Sequence, residues 1–551
     1  MPGKKTPFVS PKTEKGVLKE YVRPIVHLRA QYHEDKLGLV FGAGVNVPLR
    51  IPKWETLIEQ IAKHEDVKGI TIRKKALSKK KSHSAITQIL FQKFRDKFKK
   101  KKGWKNLITS RSEKQINTEW LKLVHGILYS KYIDDEKLLK RNIKGHPYLK
   151  EFVDIIKKMP MTVTYNFDDI LQYLVLDSRT KDEREKGRGY ETVVGERPQI
   201  RRPKGVIYHP NGMVAFEFDN GTSRGITFSD ESFADQLIDS TAGRYDTLNN
   251  FFSNTTCLFI GLSLDDPTLR HQLRQNARAN PGHYHYYISH LKNNESIDDN
   301  LRNLIFESNF LVYNLITLFL DNSGIHSLVS LIKNEGSFRQ LCEQQGVPAK
   351  DCYYLVGSVG VGKSTTNSHL KSVTTYDEWQ DIPPREMFKP YKELTPNARK
   401  RVDRWVAAQF YKKNFSLQDK REGIHVVDRT PLDPLTFSAD IRRPAKARNL
   451  LRTVCPTPSG SIEKGHVIFL CGAVKEIQTR LLNKHKSWST EIIEDLQNNI
   501  GEVYTFPEMT NINTTNRSIE EVVQEVAKVI FWYKYAPVDI KQKLTDIVEA
   551  G

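Results

Sequence analysis

Leu37 to Gly44 reads LGLVFGAG: an apolar run with the character of a buried strand, passing straight into a glycine turn. The stretch WETLIEQIAKH, Trp54 to His64, then spaces its apolar residues as a helix does. Strand, tight turn and helix in that order make one unit of a parallel α/β layer. Glycines at such a turn let the backbone approach a diphosphate closely, as dinucleotide sites require. A tight structural turn accounts for Gly42-Ala43-Gly44 equally well.

The alternation continues. TEWLKLVHGILYSKYI (118–133) and YLKEFVDIIKKM (148–159) have helical periodicity. MTVTYNFDD (161–169) reads as a short β-branched strand ending in polar residues, and GVIYHPNGMVAFEF (205–218) as a hairpin turning at Asn211-Gly212. TTCLFIGLSLDD (255–266) is a further buried strand ending in a polar loop. Polar residues at the ends of buried strands predict a site at the carboxyl edge of a parallel sheet.

A second α/β unit starts near residue 350. Gly357 to Ser364, GSVGVGKS, satisfies the phosphate-loop pattern G-x-x-x-x-G-K-[ST] after the apolar CYYLV and before a helix. Backbone amides from Gly357, Gly360 and Gly362 onward would wrap phosphates, with Thr365 just behind them. Lys363 would reach the β- and γ-phosphates, and Ser364 would ligate Mg2+. GIHVVDRTPLDPLTF then presents Asp428 and Arg429 at the end of an apolar strand. Asp428 suits magnesium or a substrate hydroxyl, and Arg429 a phosphate or carboxylate. The expected organisation is a flexible segment 1–25, a first domain 26–335 with a basic helical insertion at about 66–145, a linker 336–350, and a second domain 351–551.

The chain of 551 residues carries a formal net charge of +20. Much of it lies in 73–105, where 14 Lys or Arg stand against one acid, Asp96. FQKFRDKFKKKKGWK in that block reads as an amphipathic basic helix. Its face is either solvated and packed by its phenylalanines, or a surface for nucleic acid or another acidic partner. The five cysteines include no C-x-x-C pair, which disfavours zinc and a disulfide framework and fits a reduced cytoplasm. The chain shows neither an apolar signal core nor a run long enough for a membrane helix.

Four segments, GAGVNVPLRIPKW, VTYNFDD, YHPNG and FIGLSLDD, occur in an order that resembles the sirtuin family. The similarity is nearest to the sirtuin-like NAD-cleaving domains of bacterial antiphage defence proteins, and it runs over about 25–330. It implies an N-terminal Rossmann-like domain using NAD+. Asn166 and His209 would be catalytic, and Gly42, Ala43, Gly44, Asn46, Trp54, Asp168, Gly261, Ser263 and Asp265 would contact NAD+. The residue chemistry agrees. Loss of nicotinamide builds oxocarbenium-like charge on the ribose; the Asn166 amide could hold a ribose hydroxyl or the water, and His209 could accept a proton. Taken singly, Asn166 reads as a turn or cap residue and His209 as an exposed turn residue. Asn46 stands where the resemblance expects serine, Arg50 where it expects glycine, and the zinc module of deacetylating sirtuins is missing. Deacetylation therefore gives way to NAD+ hydrolysis.

The DRT element, with TYDEW and VIFLCGAVKEIQTRLLNKHK, resembles deoxynucleoside and thymidylate kinases over 350–535. It implies a P-loop kinase-like parallel α/β domain binding ATP or another NTP or dNTP with Mg2+, and a basic lid including Arg480. Cys471 and Gly472 replace an expected acidic residue, so nucleotide binding is the firmer expectation and turnover is open. Together these readings predict an antiphage effector that hydrolyses NAD+ and answers to a nucleotide or phage-derived trigger. A homo-oligomer is expected. The alternatives are a working nucleoside or nucleotide kinase with a regulatory NAD-binding domain, and a nucleic-acid-binding module.

Overall fold

The computed structural model describes residues 7–67, 82–104, 110–179, 190–195, 199–218, 226–241, 246–264, 266–388, 394–438, 440–457, 459–484, 486 and 488–551. It divides into two compact units. One comprises Met1–Glu20, Gln31–Asn276 and His285–Asn334; the other comprises Tyr21–Ala30, Ala277–Tyr284 and Glu335–Gly551.

The first unit is built on seven parallel strands: β1 Leu37–Phe41, β2 Met161–Thr164, β3 Glu191–Val194, β4 Val206–His209, β5 Thr256–Ile260, β6 His285–His290 and β7 Leu315–Leu320. Their order is β3-β4-β2-β1-β5-β6-β7. β1 and β5 read as unbroken apolar runs because every residue in each is buried, as a parallel sheet covered on both faces demands. The chain leaves β1 toward β2 on one side and leaves β5 toward β6 on the other. The crevice at the carboxyl ends of β1 and β5 is therefore the topological switch point, where ligands enter open α/β sheets.

A helical layer follows β1: Trp54–Lys63, His83–Lys101 and Ser110–Leu128. Leu57, Ile61, Leu90, Phe94, Trp120 and Val124 form its core. Phe94 is buried, and Phe91 and Phe98 pack against the same cluster. The phenylalanines of the basic stretch thus form the inner face of a helix whose Lys93, Lys97, Lys100 and Lys101 are exposed. Burying such a phenylalanine contributes about 1.5–3 kcal/mol. Residues 68–81 and 105–109 of the basic region lie outside the described residues.

The second unit carries five parallel strands: β8 Lys350–Gly357, β9 Thr374–Tyr376, β10 Gly423–Asp428, β11 His466–Cys471 and β12 Thr510–Asn513, ordered β9-β10-β8-β11-β12. Tyr354, Val356, Val427, Val467 and Phe410 belong to its main core.

Three local expectations change. The hairpin at Asn211-Gly212 does not form. β4 instead pairs in parallel with both β2 and β3, and residues 212–218 follow the turn without a return strand. Residues 14–20 and 22–33, which overlap the second half of the expected flexible segment 1–25, are helical. The stretch read as a linker, 336–350, contains the helix Phe338–Gln345. Among the described residues no helix is long and apolar enough to cross a membrane.

Candidate active site

A cleft of about 1870 Å³ opens in the first unit at the carboxyl ends of β1, β2 and β5. Gly42, Ala43, Gly44 and Asn46 line it from the turn after β1, and Asn166 and Asp168 from the turn after β2. Gly261 and Ser263 do so from the turn after β5, and Trp54 from the next helix. Asp265, the remaining expected NAD+ contact, lies outside the described residues.

The glycine turn is made differently from a free phosphate cradle. The Gly42 amide donates to Ile260 O at 2.9 Å and the Gly44 amide to Gly261 O at 2.8 Å. Both donors are thus spent on the neighbouring strand end. The glycines are required by the close crossing of two loops: a Cβ on Gly44 would sit 2.8 Å from Gly261 Cα. Approach of this backbone to a ligand is left to other groups of the turn.

Asn166 is the residue most exactly suited to a ligand, because it is buried and half-satisfied at once. It is 7% exposed, and its Nδ2 donates to Gly42 O at 3.3 Å. Its Oδ1 has no hydrogen-bond partner among the described residues. A buried acceptor left unmet costs about 1–3 kcal/mol, so this oxygen is a natural anchor for a hydroxyl or water in the cleft. Asn46, also buried, donates from Nδ2 to Asp168 Oδ2 at 2.5 Å, and its Oδ1 is likewise unpartnered among the described residues. Burial raises the Asp168 carboxyl to about 7, with neighbouring Asp169 adding to it and the Ile170 amide and Asn46 opposing. Asp168 therefore titrates near neutrality.

His209 departs from expectation. It ends β4 fully buried, at 0% exposure, rather than in an exposed turn or facing the cleft. Its Nδ1 lies 3.1 Å from Asn166 O and its Nε2 2.8 Å from Gln172 Nε2. Burial lowers its pKa to about 4, so the ring is neutral at physiological pH. With both nitrogens engaged, His209 supports the Asn166 turn in this structure and does not present a base to the cleft. Gln172 gave no signal in the sequence: it stands inside the apolar stretch ILQYLVL, and its partner is 37 residues away.

In the second unit the phosphate loop runs from β8 into the helix Lys363–His369. Buried Lys363 donates to Gly357 O at 2.9 Å and Ser358 O at 3.0 Å. Burial, then the nearby Arg429, lowers its pKa to about 8 against the opposing pull of Asp428. Ser364 Oγ donates to Asp428 Oδ2 at 2.9 Å, while Asp428 Oδ1 is buried and unpartnered among the described residues. This oxygen pair fits the hydroxyl-and-carboxylate set of a magnesium–nucleotide site. Gly360 and Gly362 lie in the loop and Thr365 in the first turn of its helix. Arg429 is buried at φ +69° and pairs with Glu378 at 2.8 Å and Asp433 at 2.5 Å. Arg480 is no free lid cation: it donates to Val361 O, Thr514 and Glu476, bracing the phosphate loop. Lys413, unremarked in the sequence, donates to Asp428 O at 2.7 Å from a long helix that gives no local sign of its role.

Residues 160–313 match the SIR2-like domain family. The match holds Asn166, Asp168, His209 and Gly261 but lies in the middle of the chain, and it leaves out the Gly42–Gly44 turn that the sequence resemblance included. It is compatible with NAD-related activity. No curated protein matches the chain. Among solved structures, the chain is similar to deoxyadenosine kinase from M. mycoides, in one structure with dCMP and a flexible dCDP bound and in another with dATP bound. Each match is 17% identical, covers 32% of this chain and 96% of that chain, and has a TM-score of 0.26.

Proposed function

We propose that the first unit hydrolyses NAD+ to nicotinamide and ADP-ribose. The observation that carries this reading is Asn166: a buried side chain with an unmet amide oxygen, lining the same switch-point cleft as Asp168. As the C1′–N bond breaks, nicotinamide takes the bonding pair and the ribose becomes cationic. Asn166 Oδ1 would accept from the attacking water or from a ribose hydroxyl, and so fix the nucleophile's position in the cleft. Asn46 and Asp168 together would meet polar groups of the leaving ring. The water loses its proton to solvent or to substrate, since the His209 lone pair is already engaged. In a cell such an activity would empty the NAD+ pool, which is the abortive-infection role implied by the antiphage resemblance. It would be held back until a nucleotide or phage-derived ligand reaches the phosphate loop.

The test is nicotinamide release from NAD+ by the purified full chain, with and without Mg2+–nucleotides. Asn166→Ala should lower release by about 100-fold or more. Undiminished release from that variant, or none from the wild type under any condition, refutes the reading.

A second reading has an observation of its own. Lys363, Asp428, Arg429 and Glu378 form one coupled charged cluster, which suits phosphoryl transfer as well as binding. Phosphorylation of added deoxynucleosides that disappears in Lys363→Ala would establish a working kinase.

A further inference from the structure

The turn carrying Asn166 is held from behind by a chain of three side groups. Asn166 O faces His209 Nδ1 at 3.1 Å, and His209 Nε2 faces Gln172 Nε2 at 2.8 Å. Gln172 Nε2 also lies 3.3 Å from Thr192 Oγ1, and Gln172 sits in the first turn of the helix Ile170–Asp177. A carbonyl oxygen can only accept, so His209 Nδ1 carries its hydrogen. An amide nitrogen can only donate, so His209 Nε2 must be the bare acceptor. The two contacts together define a neutral ring with the proton on Nδ1. The opposite rotamer of the Gln172 amide would set an oxygen against Nε2 and require an imidazolium, which full burial opposes. The observed orientation leaves Gln172 Oε1 buried with no partner among the described residues. That unmet acceptor is the cost of donating to the ring and to Thr192.

We infer that Gln172 is a positioning residue for NAD+ cleavage, holding His209 as a neutral brace on the Asn166 carbonyl and so aiming the Asn166 side chain into the cleft. The inference rests on the proposed NAD+ chemistry but adds a residue and a protonation state to it. A glutamate at 172 would accept from Nε2 and put a second proton on the ring, replacing the neutral brace by a buried carboxylate–imidazolium pair of zero net charge whose changed geometry shifts the Asn166 carbonyl it holds. A methionine would keep the shape and leave the ring neutral, at the loss of one hydrogen bond.

The experiment uses the full-length protein with 15N-labelled histidine, the His209 signals being assigned by their disappearance in His209→Asn. The wild-type ring should show a protonated Nδ1 and a bare Nε2. Gln172→Glu should show both nitrogens protonated at neutral pH and release nicotinamide about 30-fold more slowly. Gln172→Met should keep the Nδ1–H form, with a shifted Nε2 signal, and lose only about 3-fold. A wild-type ring protonated on Nε2, a neutral ring in Gln172→Glu, or equal rates in the two variants overturns the inference. Because the ring's state is read without substrate, an Nε2–H ring in a protein that does cleave NAD+ defeats the inference alone. Absence of nicotinamide release from the wild type defeats the NAD+ reading, and the positioning role with it.

Discussion

Asp168 and His209 sit on neighbouring strand ends, and burial moves their titrations in opposite directions. Folded Asp168 keeps its proton up to about pH 7, whereas the unfolded carboxyl releases it near 3.8. Between those values the unfolded chain binds fewer protons, so this group's contribution to stability falls as pH rises. Folded His209 stays unprotonated down to about pH 4, whereas the unfolded ring gains a proton near 6.5. There the unfolded chain binds more protons, so its contribution falls as pH drops below 6.5. The first unit should therefore lose stability on both sides, the alkaline loss belonging to Asp168. Asp168→Asn removes the charge and keeps one oxygen for the Asn46 donor. Relative to wild type, the variant should gain about 1–3 kcal/mol on going from pH 5 to pH 8, read by calorimetry of the first unit's transition. A difference that does not change with pH would mean that Asp168 is already ionised in the folded protein at pH 5.

At the scale of elements, the decisive contact is the crossing of the turns after β1 and β5. Gly261 adopts φ +66°, and a Cβ there would lie 2.6 Å from Val45 N. Gly103 has nearly the same φ, +68°, with nothing within 4 Å of its Cβ position. Alanine at both sites carries the same left-handed penalty, about 1 kcal/mol, but only at 261 must two backbones separate. Gly261→Ala should cost about 2–4 kcal/mol and weaken ADP-ribose binding, while Gly103→Ala should cost about 1 kcal/mol and leave binding unchanged. Thermal melts and calorimetric titration of ADP-ribose check both. Equal effects would show that the loop crossing is soft. The same crossing explains what sequence could and could not convey. Strands such as Leu37–Phe41 and Thr256–Ile260 are legible because parallel strands buried on both faces must be apolar throughout. The Asn211-Gly212 signal is real as a turn. Yet β4 takes its partners from Met161–Thr164 and Glu191–Val194, and no local pattern encodes a parallel pairing reached across a long connection. Asn166 was legible through its motif. Its unmet oxygen and the capping of His209 by Gln172 depend on atoms brought together by that pairing.

At the scale of the whole molecule, the chain carries two candidate nucleotide sites in separate compact units: the cleft with Asn166 and the loop with Lys363. If the second controls the first, thermodynamics fixes the form of the control. A Mg2+–nucleotide that changes the affinity of the first unit for ADP-ribose by some factor must have its own affinity changed by ADP-ribose by that same factor. Factors of about 5–150 are usual for coupled sites. Mere co-residence of two sites on one chain gives a factor of one, and a nucleotide that binds both states equally shifts nothing, however tightly it binds. ADP-ribose serves as the probe because it is not consumed, so the measurement separates coupling from turnover. We predict a coupling factor of about 10 or more between ATP or a dNTP and ADP-ribose, equal in the two directions within error. Lys363→Ala should abolish it together with nucleotide binding. Two-way calorimetric titrations on the full chain provide the test. A factor of one for every nucleotide tried, with both ligands bound, would remove the phosphate loop as the control input and favour a second catalytic centre in its place.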